Sequence, residues 1–138
     1  MDQNTWFGVG TAAVVLLFVF LVDGRKKPVE ELKVQTMAIH DEAMVEMAEM
    51  NRLGRMLKRE LAQQTTDAPR TDSIRATLRL MKKAEEDMYT WMRQYTDPVG
   101  RPTEEALRYL EEQKRLIGQN QEDIRRARDA ARKLLEQR

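Results

Sequence analysis

Seventeen consecutive uncharged residues, Trp6 to Val22 (WFGVGTAAVVLLFVFLV), constrain this chain more than any other feature in it. At about 1.5 Å per helical residue the run is roughly 25 Å long, enough to cross a thin hydrocarbon core. Trp6 stands at one end, where an indole favours the membrane interface. A cleaved leader would have a basic start and a small-residue cleavage site after its apolar stretch. This chain instead begins MDQNT, and no such site follows Val22. Residues 1–24 therefore read as a short tail and a retained transmembrane anchor, and residues 25–28 as a basic juxtamembrane linker.

The flanking charges orient the anchor. Arg25, Lys26 and Lys27 follow the run and Asp2 precedes it. Excess Lys and Arg beside a span marks its cytoplasmic side. The expected arrangement is an inner-membrane, single-pass protein whose carboxy-terminal domain faces the cytoplasm. Gly8, Thr11 and Ala12 form a patch of small residues within the run, a surface on which another membrane helix could approach closely.

Beyond the anchor the composition changes. All 24 Lys and Arg lie after Gly24, together with all but two of the 23 acidic residues. Overall 34% of the chain is charged and 6% aromatic, with a net charge of +1, which describes long solvated helices rather than a thick globular core. The interspersed signs leave no nucleic-acid footprint. Cysteine is absent, which removes disulfides, zinc–thiolate clusters and thiol nucleophiles.

Apolar periodicity divides residues 29–138 into three helices. The first, about 29–64, carries Leu32, Ile39, Ala43, Met47, Met50, Leu53, Leu57 and Leu61 at spacings of three, four and seven. Asp23, Gly24 and Pro28 mark its separation from the anchor. After TTDAPRT (65–71), a second helix spans about 72–95, where Ile74, Met81, Met88 and Tyr95 repeat every seven residues. Leu78, Ala84, Trp91 and Met92 fill the interleaved positions. After TDPVGRP (96–102), a third helix runs over about 103–135, with Thr103 as its cap and Glu104 and Glu105 at the positive end of its dipole. Leu107, Leu110, Ile117, Ile124, Ala131 and Leu134 make a narrow seam that Lys114, Gln121 and Arg128 dilute. Short breaks join antiparallel neighbours. The predicted fold is all-α: one transmembrane helix followed by an elongated antiparallel three-helix bundle or coiled coil. Its second helix is the shortest, so a longer neighbour must project past it.

Few residues invite chemistry. His40 is the only histidine and shares a helix face with Met37, Met44 and Met47. Imidazole and thioether together suit Cu(I), so His40, Met44 and Met47 are the candidate metal ligands. Met is also a flexible core filler, and one histidine without a second is the ordinary mark of a core edge. Asp41, Glu42, Glu46 and Glu49 lack the Glu-x-x-His pairs of di-iron bundles and read as a solvated acidic face. Neither a hydrolase triad nor a glycine-rich phosphate loop is present. The basic run RRARDAARK (125–133) is interrupted by Asp129 and flanked by Glu122, Asp123 and Glu136, as in a salt-bridged helix face.

Two stretches, MAIHDEAMVEMAEMNRLGRML (37–57) and KKAEEDMYTWMRQY (82–95), resemble a family of small helical bacterial envelope proteins of the viral A-type inclusion protein-like group. The resemblance rests on a His-Asp-Glu-x-Met box (His40, Asp41, Glu42, Met44), a Trp-Met box (Trp91, Met92) and a third helix like EEALRYLEEQKRLI (104–117). It covers about residues 34–136 and implies a fold rather than an activity. Members look like exported lipoproteins with a cysteine after their signal, whereas this chain has no cysteine and keeps an apolar span. The resemblance thus implies a periplasmic domain where the flanking charges imply a cytoplasmic one.

These readings converge on a non-catalytic accessory subunit that needs no cofactor and has no evident small-molecule substrate. Its anchor would dock beside other membrane subunits, as in a respiratory or photosynthetic assembly, and its bundle would brace their soluble face. Met88, Trp91, Met92 and Tyr95 would serve as core or partner contacts, and Trp6, Arg25, Lys26 and Lys27 would meet the lipid interface. A Cu(I)-handling protein and a homo-oligomeric coiled-coil scaffold are the alternatives.

Overall fold

The computed structural model describes the backbone of residues 4–63 and 67–137, and the side chains of residues 27–63 and 67–137. Three helices account for nearly all of this: α1 (Asn4–Ala62), α2 (Ala68–Gln94) and α3 (Thr103–Glu136). The described residues contain no strand. Among them no helix is long and apolar enough to cross a membrane. The side chains of Trp6 to Val22, expected to form the anchor, lie outside the described residues, as do those of Gly8, Thr11, Ala12, Arg25 and Lys26.

The cross-helix contacts define the topology. Lys33 meets Asp97, His40 stacks on Trp91, and Asn51 donates to Glu85, so α2 runs antiparallel to α1. Lys114 meets Gln35, Arg125 meets Glu46, and Arg132 meets Glu49, so α1 and α3 run parallel. The bundle is up–down–up. α1 lies closest to α3 and least close to α2. Fully buried Ala43 on α1 and Ala127 and Ala131 on α3 explain this, because small side chains let helix axes approach.

The core follows the apolar stripes. Met47, Met50, Leu53 and Leu57 of α1 meet Ile74, Met81, Met88 and Trp91 of α2 and Ile117 and Ile124 of α3 in one cluster. Four of these are methionines, whose unbranched side chains fill the uneven gaps among helices of differing separation. Thr36 is buried in line with the stripe, and its hydroxyl donates to the Leu32 carbonyl at 2.8 Å, which removes the cost of an unpaired polar group.

Three local expectations are corrected. α2 begins at Ala68 rather than Asp72, because Pro69 occupies its first turn, where a missing N–H costs nothing. Asp67 caps it by accepting from the Arg70 amide at 2.9 Å. Thr103 is not the cap of α3. Pro102 holds that position without a side-chain bond, and its carbonyl accepts from Ala106 N at 2.9 Å. The break expected at 23–28 is helical: α1 continues through Pro28 as one element of 59 residues, roughly 90 Å long.

The helix ends are level at one end of the bundle only. There Arg70 of α2 pairs with Glu60 of α1 and donates to the Leu134 carbonyl of α3 at 2.9 Å. With 59 residues against 27 in α2, α1 must overrun α2 at the other end, which is the end nearer the apolar run.

Candidate functional site

The chemistry-bearing side chains gather in the half of the bundle nearer residue 27. His40 of α1 stacks on Trp91 of α2 with ring centroids 5.5 Å apart, and Trp91 lies 5.0 Å from Tyr95. Tyr95 is 6.3 Å from Tyr109 of α3, and the Arg101 guanidinium sits 4.4 Å over the Tyr109 ring. One ladder of aromatic and cationic groups thus crosses all three helices. Each contact has the centroid spacing at which ring pairs attract beyond simple burial.

This arrangement explains the placement of the sequence candidates. His40 is largely buried, its Nδ1 lies 3.0 Å from Asp41 Oδ1, and one ring face is covered by the indole. Met47 is buried in the core and Met44 packs at its edge. Among the described residues no cluster of His, Asp or Glu is arranged to hold a metal ion. Trp91 is 6% exposed and Met88 fully buried, but Met92 is 41% exposed and turns away from the core. Adjacent helical positions differ by 100°, so the Trp-Met box splits between core and surface.

Among the described residues four buried side-chain polar atoms are unpartnered: Trp91 Nε1, Tyr95 Oη, Asn120 Oδ1 and Gln121 Nε2. Two of them belong to residues that line one depression between α2 and α3. Trp91 and Asn120 bound a hollow of about 240 Å³ together with Leu116, Asp87 and Asp123. Asp87 and Asp123 also line a second hollow of about 390 Å³ with Leu80, Ala84 and Ala127. The two form one groove that carries the partly exposed Leu80 and Leu116. From Leu80 to Trp91 it follows α2 for about three turns. Its carboxylates are engaged at the rim, Asp87 with Lys83 at 2.5 Å and Asp123 with Arg126 at 3.0 Å.

The acidic residues of α1 are not merely a solvated face. Glu46 receives Arg125 Nε at 2.9 Å and Arg128 at 3.8 Å, and Glu49 receives Arg132 at 2.6 Å. The basic run of α3 is thus the partner of α1, which its own flanking acids conceal in the sequence. The Arg125 guanidinium is held above its ordinary range chiefly by its hydrogen bond to Glu46. Such pairs fix the lateral register of two parallel helices.

At the overrunning end, the α2–α3 loop folds against α1 around a cleft of about 690 Å³ lined by Lys27, Val29, Lys33, Asp97, Val99 and Arg101, among others. Lys33 Nζ reaches Asp97 at 2.6 Å, and that hydrogen bond raises the lysine above its ordinary range. On the other side Thr96 N donates to Tyr109 Oη at 2.9 Å. The turn itself is closed by Arg101 N to Pro98 O at 3.2 Å, with Gly100 at φ 81°, a conformation that suits glycine. Tyr109 and Arg101 escaped the sequence reading because neither lies on the apolar seam, and Asn120, three residues after Ile117 and four before Ile124, was passed over because its side chain is polar. The PVG turn signal in the α2–α3 break was the one available pointer to this end. No protein-family model, curated protein or solved structure matches this chain.

Proposed function

We propose that this protein is a membrane-anchored, non-catalytic accessory subunit whose bundle receives a helix of a larger membrane complex in the α2–α3 groove. The observation that carries the reading is the groove itself. It combines exposed Leu80 and Leu116 with the buried, unpartnered Trp91 Nε1 and Asn120 Oδ1. A donor and an acceptor left unpaired beside apolar side chains cost stability in the isolated chain. A partner helix presenting a carboxamide or hydroxyl would recover that cost while covering the leucines, in the manner of a helix laid in a groove.

The anchor in this reading is Trp6–Val22, with Trp6, Arg25, Lys26 and Lys27 at its interfaces and Gly8, Thr11 and Ala12 as the face offered to neighbouring spans. The basic flank assigns the bundle to the cytoplasmic side of the inner membrane. In gentle detergent, affinity purification followed by mass spectrometry is expected to recover other membrane subunits in constant proportion. Leu80→Arg with Leu116→Glu should strip them away while leaving helicity intact, since both side chains are already exposed. Purification of the wild-type chain alone, monomeric and stable, would overturn the reading. Cross-links joining only copies of this chain would replace it with a homo-oligomeric scaffold.

A further inference from the structure

At the end of the bundle from which α1 continues toward the apolar run, the α2–α3 turn folds against the first described stretch of α1. Lys27 stands five residues beyond Val22 on the same helix, roughly 7.5 Å along its axis. That places it in the headgroup layer if the hydrocarbon core ends near Val22. The Pro98–Arg101 turn shares a cleft with Lys27, Val29 and Lys33, and so lies beside this first stretch of α1. Val99 occupies the outer corner of the turn and is 83% exposed, more than any other large apolar side chain among the described residues.

The turn is held rigidly for a surface loop. The Lys33–Asp97 ion pair ties it to α1, Tyr109 ties it to α3, and Pro98 is buried beneath it. Its charges are sorted in the same way. Lys33 pairs with Asp97 at 2.6 Å and lies 3.8 Å from Glu30, so it contacts both carboxylates lining the cleft while neutralising one charge. Lys27 and Arg101 make no ion pair among the described residues, and the exposed Arg101 holds its guanidinium carbon 4.4 Å over the Tyr109 ring. Three cations thus meet two carboxylates around one outward valine, which leaves the cleft an excess of one positive charge at the level where α1 would leave a bilayer. A tilt of about 20°, usual for membrane helices, lowers one side of the bundle toward the surface.

We propose that the Pro98–Arg101 turn docks on the bilayer, with Val99 in the interfacial layer and Lys27 and Arg101 on the phosphate of an anionic lipid. This rests on the reading of Trp6–Val22 as an anchor. It adds that the bundle is held against the membrane at a fixed attitude instead of swinging on a linker. The occupant is the membrane surface rather than a partner helix, because the cleft lies beside the stretch of α1 that continues toward the proposed anchor and its charge excess is positive.

The absence of cysteine makes the test direct. The full chain is reconstituted in nanodiscs of phosphatidylcholine, with or without phosphatidylglycerol, and an environment-sensitive fluorophore is placed at Val99→Cys or, at the opposite end of the bundle, at Asp67→Cys. Spin-labelled lipid is expected to quench the probe at position 99 but not at 67, and more strongly in the anionic discs. Lys27→Gln and Arg101→Gln should each weaken the docked state about fivefold in the anionic discs. Equal quenching at the two positions, or none at either, would overturn the proposal, as would quenching at position 99 that ignores both lipid charge and the two substitutions. Recovery of the chain with the discs separates the two readings. A chain in the discs with an unquenched position 99 leaves the anchor standing, whereas a chain outside the discs removes both.

Discussion

Trp91 illustrates how one side chain serves two purposes. Its ring fills the core between His40 and Tyr95, while its N–H lies buried without a partner beside the α2–α3 groove. Trp91→Ala should therefore cost about 3–5 kcal/mol by thermal or denaturant unfolding. Trp91→Phe retains most of the ring contact and deletes only the donor. It should melt near the wild-type temperature yet lose partner retention in detergent, and equal retention would show that the indole N–H is not read by a partner. Tyr95 gives a pH signature. Burial pushes its phenol above the ordinary value, and Asp97 adds to the shift. A raised folded-state pKa contributes stability that is complete below the unfolded value of about 10 and is lost as pH rises through the folded one. Lys33, raised by Asp97, acts with the same sign in the same alkaline window. Tyr95→Phe should leave neutral-pH stability unchanged or improved, because it removes a buried unpartnered hydroxyl, and should shrink but not abolish the alkaline loss. Melting curves with tyrosinate absorbance across that window test this. At this scale the sequence was legible where a residue type was rare, as for His40 and Trp91. It was silent on Asn120 and placed Gln121 only as a polar interruption of the α3 seam, because the burial of either depends on where a neighbouring helix lies.

At the scale of the element, the apolar period located the helices well, because seven-residue repeats of large side chains have few other ways to be covered. It located their ends less well. Pro69 reads as a breaker in the sequence but acts as a first-turn residue, since nothing local distinguishes the two roles until Asp67 is seen to cap. The α1–α3 pairing was hidden for a different reason: Arg125 and Arg132 stand 79 and 83 residues from their partners Glu46 and Glu49, with acids closer by in the chain. Two helical glycines test how closely the elements fit. A Cβ at Gly118 would meet nothing within 4 Å, so Gly118→Ala should stabilise the bundle by about 0.5–1 kcal/mol through helix propensity alone. A Cβ at Gly54 would lie 2.6 Å from the Met81 terminal methyl. Gly54→Ala must displace that methyl from the α1–α2 contact, and its gain should be reduced or reversed. Equal gains at the two sites would mean that Met81 moves freely. Met81→Ala combined with Gly54→Ala should restore the favourable increment relative to Met81→Ala alone, which double-mutant analysis would detect.

For the whole molecule, the decisive geometric fact is that α1 does not stop where the bundle stops. A linker at 25–28 would let the bundle turn independently of the apolar run, whereas one helix through Pro28 couples the orientations of the two. Sequence reasoning missed this because Gly24 and Pro28 are each helix-breaking in isolation. A proline in a helix interior removes one backbone bond and bends the axis, but it does not necessarily end the helix. If the apolar run is the proposed anchor, the coupling also makes sidedness a single binary question for cleft and groove together. In the proposed reading the basic flank Arg25, Lys26 and Lys27 predicts that the cleft and the groove face the cytoplasm. The resemblance to envelope proteins that look like exported lipoproteins implies the other side, yet this chain lacks the cysteine of such proteins. Alkaline phosphatase fused after Arg138 should therefore be inactive, and a green fluorescent protein fused at the same point should fluoresce. Replacing Arg25, Lys26 and Lys27 with glutamine while adding lysines beside Asp2 should invert both readouts, because the charge bias is the only orienting signal this short tail offers. An active phosphatase on the unmodified chain would move the groove and the Val99 turn to the periplasmic face together. The partner would then have to present its helix there, and the phosphate under Lys27 and Arg101 would belong to the outer leaflet.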